Sequence, residues 1–306
     1  MSDAVPPLEC WLPALKRFDP AHPLQRLLAE AERQADGPRG YLAGLAGYVD
    51  VGDSPLPAAA LTRELLAGDA GDALWLCADP AWVQPDMNGA RLLACGQMPL
   101  SADEAGALAE TLQPVFAEAS MDLRISTPES WHLRLPDAVA LPDFAAPEQA
   151  LGEDLFPHLP QGPEGRRWRV LINEVQVLLH QHPVNAERAA RGEPPVNSLW
   201  LWGAGRLPAR AHSDFVGIVS DDLLLNALAA RAGLARRPRS AEQVAMAGTG
   251  WLVDLQDMPV AQIEREGWPT LQALARRQPV RLAFASGERW LHRPWHRWRF
   301  WRGKQP

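Results

Sequence analysis

Apolar and polar positions follow two rhythms along the chain, and these mark its elements. Over 22–35, Leu24, Leu27, Leu28 and Ala31 recur at spacings of three and four, which predicts a helix with one buried face. A Gly-rich stretch follows, then a short helix over 61–66 and an apolar run over 73–78 that reads as a buried strand. Residues 82–84 and 91–94 flank Pro85-Asp86-Met87-Asn88-Gly89, where Asn-Gly predicts a hairpin. Ser101 with Glu104 has the spacing of a capping box ahead of an apolar helix through Phe116. Residues 123–126 and 131–135 flank Thr127-Pro128-Glu129-Ser130, a second hairpin.

Beyond 165 the rhythm changes. Trp168, Leu171, Ile172, Val175, Leu178 and Leu179 predict a helix over 166–180, closed by Pro183. Short strands are expected at 198–202, 215–219, 251–255, 280–285 and 295–301. A helix capped by Asp221 or Asp222 is expected to end at Gly233, and another spans 260–276. The expected fold class is therefore α/β with an α+β N-terminal part. It comprises a small hairpin-rich α+β domain over 1–140, a linker over 141–165 and an α/β domain over 166–306. The α/β domain is expected to hold a mixed, largely parallel sheet with helices on both faces. The linker rests on 141–154, which is rich in Pro and acid.

Composition excludes several classes. At 306 residues with 47% hydrophobic and 22% charged side chains, the chain is an ordinary globular sequence. No apolar run approaches the roughly 20 residues that span a bilayer. The opening MSDAVPPLEC lacks the basic-then-apolar order of a secretory signal. Cys10, Cys77 and Cys95 have no metal or disulfide spacing, which suits a reducing cytoplasm. The net charge is −7, yet residues 281–306 carry seven Lys and Arg against Glu288 alone. An acidic body disfavours nucleic acid as a partner. The tail interleaves bases with indoles, as a single-strand binder would. Its alternation also fits an edge strand with Trp298 and Phe300 facing the core and Arg297 and Arg299 facing water.

The densest polar cluster is His180-Gln181-His182-Pro183-Val184-Asn185, followed by Arg188, Arg191 and Asn197. It is expected in a loop between a helix and a buried strand, a common place for ligands in α/β proteins. Asn185, Asn197, Arg188 and His182 suit a phosphate or carboxylate. Equally, the two Asn suit bonds to loop backbone, and His182 suits a cap on the helix C-terminus. Asp154 and His158 sit four apart, but Pro157 favours a turn with the Asp side chain bonded to backbone. Gly203-Ala204-Gly205 lacks the third Gly of a dinucleotide fingerprint and is expected to be a tight turn. With Lys16 and Lys304 as its only lysines, the chain is a poor fit for Schiff-base or lysine-clamped phosphate chemistry.

Three segments taken together resemble a known family: DLFPH at 154–158, LINEVQVLLHQHPVN at 171–185, and Arg188 with PVNSLWLWGAG at 195–205. With LWLCADP at 74–80 and the Ser101–Glu104 box, they resemble the bacterial regulator-of-pathogenicity-factors type E proteins, which are labelled phosphoglycerate mutase-like. The resemblance covers about 60–220. More distantly, the middle segments are similar to archaeal-type cofactor-independent phosphoglycerate mutases. That similarity implies an alkaline-phosphatase-like core remnant, two divalent metals and a transiently phosphorylated Ser or Thr. The matching chemistry is incomplete here. Asp50, Asp53 and Ser54 have no Asp–Gly opening strand, and no His follows Asp254 and Asp257 until His292.

The resemblance thus implies a non-catalytic or degenerate relative with no catalytic residues and no cofactor. It would bind a small phosphorylated metabolite through His182, Asn185, Arg188 and Asn197, flanked by Asp154, His158, Trp200 and Trp202. The first alternative is an active metal-dependent mutase or phosphohydrolase in which Asp154, His158, His180 and His182 converge. The second is a protein-interaction module that uses exposed indoles. The sequence names no protein partner.

Overall fold

The computed structural model describes residues 5–52, 55–87 and 89–298, with Arg297 described in its backbone alone. The chain divides into two units, with boundaries after Gly52 and after Pro208. One unit joins the two ends of the chain and the other is its continuous middle. The leading segment supplies strand β1 (Leu8–Leu12), helix α1 (Leu24–Glu30), strand β2 (Glu32–Arg33) and helix α2 (Tyr41–Tyr48). The middle unit runs α3 (Ala58–Ala67), β3 (Leu74–Pro85), β4 (Ala90–Cys95), α4 (Ala102–Glu118), β5 (Asp122–Thr127) and β6 (Ser130–Leu135). It continues with α5 (Pro147–Ala150), α6 (Gly162–His180), α7 (Pro183–Ala190) and β7 (Ser198–Gly205). The closing segment holds β8 (Gly217–Val219), α8 (Leu223–Arg231), β9 (Ala235–Arg237), α9 (Ala241–Ala245), β10 (Trp251–Asp254) and α10 (Val260–Gln262). A π-helical turn leads into α11 (Trp268–Arg277), followed by β11 (Val280–Phe284), β12 (Arg289–His292) and a 3-10 helix at Pro294–Trp298.

The end-joining unit is a seven-stranded mixed sheet of order β2-β12-β11-β1-β10-β8-β9. Strand β1 lies parallel between β10 and β11, with Cys10 opposite Val253 and Leu282. All five β1 residues are buried, because helices cover both faces. Leu8, Cys10 and Leu12 share a core with Leu24 of α1 and Leu271 and Leu274 of α11. On the other face Trp11 stacks on Tyr41 of α2 and meets Tyr48 edge-on. This is the expected α/β arrangement with a mixed sheet, and its central strand comes from the N-terminus.

In the middle unit the twelve-residue β3 is the axis of a five-stranded antiparallel sheet. It pairs with β6 along 74–77, with β4 along 81–85 and with β7 along 75–81, and β5 adds to β6. Leu74, Leu76 and Ala78 pack with Leu108, Leu112 and Phe116 of α4 and with Trp168, Leu171 and Val175 of α6. Trp75 and Cys77 face Ala59 and Ala60 of α3. The Ser101–Glu104 capping box forms as expected, with both reciprocal bonds present. The first hairpin closes through Asp86 N–H to the Gly89 carbonyl at 2.9 Å; Asn88 lies outside the described residues.

Several expectations are corrected. The division at 141–165 does not coincide with a unit boundary. β7 returns to pair with β3, and the indole N–H of Trp168 donates to Ala140 O at 3.2 Å across the expected linker. The loop expected after His180 contains α7, because Pro183 begins a helix as well as ending one. Gly203 and Gly205 belong to β7, where the sheet passes so close to α3 that a Cβ on Gly203 would stand 2.7 Å from the Ala58 Cβ. The expected strand at 295–301 is a 3-10 helix over its described part, and Trp298 is exposed rather than in the core. The side chain of Arg297 and the residues Arg299 and Phe300 lie outside the described residues. Trp295 and Trp298 are the exposed tryptophans among those described. Of the other described tryptophans, Trp11, Trp75, Trp131, Trp168, Trp200 and Trp268 are buried and Trp82, Trp202, Trp251 and Trp290 half-buried, which weakens the reading of an indole-rich interaction module. No described helix is long and apolar enough to cross a membrane.

A Cβ on Gly44 of α2 would stand 2.5 Å from Trp11 Cζ2, and Trp11 is buried. Gly44→Val should therefore cost about 1–3 kcal/mol by overpacking, read as a lower urea midpoint and a changed tryptophan emission. An unchanged midpoint would argue against the close α2–β1 packing.

Candidate functional site

The polar segment after α6 folds through its own side chains. The His182 imidazole accepts from Val184 N–H at 3.2 Å and caps the start of α7, rather than the end of α6. Asn185 is buried and its amide is saturated. It donates to Leu179 O at 2.7 Å and Val196 O at 2.8 Å, and accepts from Val196 N–H at 2.8 Å. Arg188 is fully buried, donating to Pro194 O at 3.0 Å and Pro99 O at 2.8 Å, with Glu104 at 3.3 Å and Glu193 at 3.4 Å. Arg191 completes the pairing by bonding Glu104 and Glu193. Arg188 thus fixes α7 to the start of α4.

Asn197 extends a sheet ladder with a side chain. Its backbone N–H donates to Ala81 O at 3.1 Å, while its amide takes Val83 N–H at 2.8 Å and gives to Val83 O at 2.7 Å. The Trp200 indole donates to Ala145 O, and that of Trp202 to Asp79 Oδ2 at 2.7 Å. Asp154 stands on an exposed turn with its carboxylate 3.4 Å from Phe156 N–H. His158 ends the short 3-10 turn Phe156–His158. The structure therefore commits Asn185, Arg188, Asn197, Trp200 and Trp202 to bonds inside the fold.

Beside them lies an open groove in the middle unit. Its larger section, about 510 Å³, runs between the end of β3, the turn carrying Leu155, Phe156 and Leu159, and one stripe of α6. Arg169, Asn173, Gln176 and His180 of that stripe stand at i, i+4, i+7 and i+11, a single helical face. An adjoining section of about 440 Å³ shares Val83, Pro85, His180, Gln181 and Asn197 and adds His182, Asn185 and Trp82. The segment 154–205 thus contributes to one groove, but Arg188 does not line it. No Asp or Glu is among the described residues lining either section. Sequence reasoning missed Arg169, Asn173 and Gln176. The available signal was the polar stripe opposite Trp168, Leu171, Val175 and Leu179.

Two buried carboxyls have displaced titrations. Burial pushes Asp79 up to about 7, against the indole N–H of Trp202 and the Trp131 N–H that favour its anion. Burial likewise lifts Asp254, at the end of β10, to about 7, although Ser220 donates to it at 2.7 Å. Burial and the nearby Arg63 push His132 down to about 4, and its ring bridges Thr62 and Ser126.

The carboxylates at the C-terminal ends of β8 and β10 test for a metal, since ligands gather at such ends in α/β sheets. Asp222 accepts from Tyr41 at 2.7 Å and from Leu225 N–H, Asp254 from Ser220 and Gln256 N–H, and Asp257 from Arg239. Among the described residues no group of three or more His, Cys, Asp or Glu is placed to hold a metal ion. The described residues there do not fit the group.

No protein-family model matches the chain. It is 29% identical over 160 residues to the 2,3-bisphosphoglycerate-independent phosphoglycerate mutase of Methanosarcina mazei, spanning 51% of this chain and 38% of the enzyme. It is 30% identical over 111 residues to the enzyme of the same description from Methanothrix thermoacetophila, spanning 36% and 27%. The chain therefore matches well under half of each relative, and the homology to this class is distant. The PH0037 protein from Pyrococcus horikoshii shares the fold at a TM-score of 0.50 and 13% identity, over 94% of this chain and 87% of that one. The expectation of no cofactor is overturned by the relationship. The chain is distantly homologous to phosphoglycerate mutases, a class that the resemblance above associates with divalent metals.

Two predictions follow from these bonds. Arg188→Ala leaves Glu104 and two backbone carbonyls without their buried partner, and should cost about 3–5 kcal/mol in urea denaturation of the full chain. A loss under 1 kcal/mol would contradict the structural role. Asp79 and Asp254 hold protons in the folded chain well above their ordinary value of 3.8. Between about pH 4 and pH 7 the folded state therefore binds more protons than the unfolded one, and stability falls as pH rises through that window. Asp79→Asn should flatten the fall, measured by urea midpoints at pH 5 and pH 8.

Proposed function

We propose that the chain is a phosphoglycerate mutase-like protein that binds a small phosphorylated metabolite in a regulatory, cytoplasmic role. In this reading the phosphate sits on Arg169 and Asn173 in the groove beside β3, and the Arg188 cluster serves to hold that groove open. The narrower likeness to regulator-of-pathogenicity-factors type E proteins belongs to the same proposal, on the motifs at 154–158, 171–185 and 195–205.

The observation that carries the reading is the charge of the groove. The chain has 37 acidic residues and a net charge of −7, yet none of its described carboxylates lines the cavity. Arg169, which gives one N–H to the Pro160 carbonyl, supplies a permanent cation there, and Asn173 and Gln181 supply neutral amide donors beside the His180 ring. Such a wall attracts an anion against the field of the whole chain.

Calorimetry of the full chain with 3-phosphoglycerate, 2-phosphoglycerate and inorganic phosphate tests the proposal. Binding is expected, and Arg169→Ala should weaken it about 10- to 100-fold, as loss of a charge-assisted bond does. No heat with any of the three, or an unchanged affinity in Arg169→Ala, would sink the reading. Interconversion of the two phosphoglycerates by the wild type would replace it with the catalytic one.

A further inference from the structure

The groove is longer and more apolar than a three-carbon phosphate requires. Arg169 and His180 are eleven residues apart on α6, and at 1.5 Å per residue they mark ends roughly 16 Å apart. A phosphoglycerate reaches one end alone. Between the ends the lining is Val83, Leu155, Phe156, Leu159, Ile172 and Val177. Phe156 and Val177 are 56% and 52% exposed, among the most open large apolar side chains of the unit. The about 510 Å³ of this section alone falls in the range of pockets that bury drug-sized ligands, roughly 300–1,000 Å³.

We propose that the groove selects an elongated phosphomonoester with an apolar middle. Its phosphate rests on Arg169 and Asn173, its chain or ring covers Phe156, Ile172 and Val177, and its far end meets His180 and Gln181. This rests on the phosphate-binding reading above and names the class of ligand for the same site. The physical ground is the separation of roles along one wall: a cation at one end, a histidine and an amide at the other and the exposed hydrocarbon of Phe156 and Val177 between. Arg169 donates one guanidinium N–H to the Pro160 carbonyl, and its other N–H groups remain for a ligand. A ligand with a phosphate and no apolar body leaves the hydrocarbon wet, and one with no phosphate leaves those N–H groups of Arg169 without an anion.

The test is calorimetry of the full chain with butyl, hexyl and octyl phosphate below their micelle concentrations. Inorganic phosphate, 3-phosphoglycerate and hexanol complete the series. Affinity should rise about three- to fourfold per methylene from butyl to octyl phosphate. Hexanol should bind far more weakly than hexyl phosphate, and Arg169→Ala should remove that difference. Val177→Ser, at an exposed position, should flatten the dependence on chain length. Binding of phosphoglycerate with no gain along the alkyl series overturns this inference and leaves the phosphate reading standing. Equal binding of hexanol and hexyl phosphate, or no binding of any phosphate, overturns both.

Discussion

The pairing of β7 with β3 is the contact on which the middle unit depends. β3 is twelve residues long and carries three partners along its length. β7 covers it from Trp75 to Ala81, and the Asn197 amide then completes one further rung at Val83. Past that rung the ladder on this edge stops. The groove lies there, with Val83 and Pro85 on one side and α6 on the other. A side chain rather than a backbone rung ends the ladder, so the sheet edge is satisfied without a further strand to fill the space.

The buried polar groups around this edge serve to hold rather than to bind. Asn185 joins the end of α6 to the approach to β7 through three bonds, and Arg188 joins α7 to the start of α4. Such groups are costly to bury without partners, and Asn185 meets this through three bonds while Arg188 bonds through Nε and Nη1 and leaves Nη2 without a hydrogen bond. The segment that looks like a ligand loop in the sequence is a structural clasp. The groove is lined by part of this segment and by one face of α6, which carries Arg169, Asn173 and His180.

The chain is distantly homologous to phosphoglycerate mutases, and its own strand-end carboxylates are engaged within the fold. At the carboxyl ends of the parallel strands, Asp222, Asp254 and Asp257 are occupied by a phenol, a hydroxyl and a guanidinium. These are protein partners where an open coordination site needs free oxygens. The groove in the middle unit instead offers donors that face solvent.

Much of the local structure was legible in the sequence. The capping box at Ser101, both hairpins of the middle unit and the long helix ending at His180 follow from spacing and turn chemistry within a few residues. β1 was not legible. Its five residues are buried on both faces, so it lacks alternation, and Glu9 interrupts its apolar run while pairing with Arg281 at 2.8 Å. The unit boundaries were hidden for the same reason, since they depend on β1 meeting β11 some 270 positions away. In the site, residue types at 180–197 marked a polar cluster but not its direction. An Asn or Arg suits a ligand and a backbone carbonyl equally well, and only the packing of β7, α4 and α7 decides between them. Sequence alone thus determined the local elements, whose hydrogen bonds and turns close within a few residues. Tertiary structure decided the units, the clasp and the groove, because each is made by groups that meet only when distant strands pair.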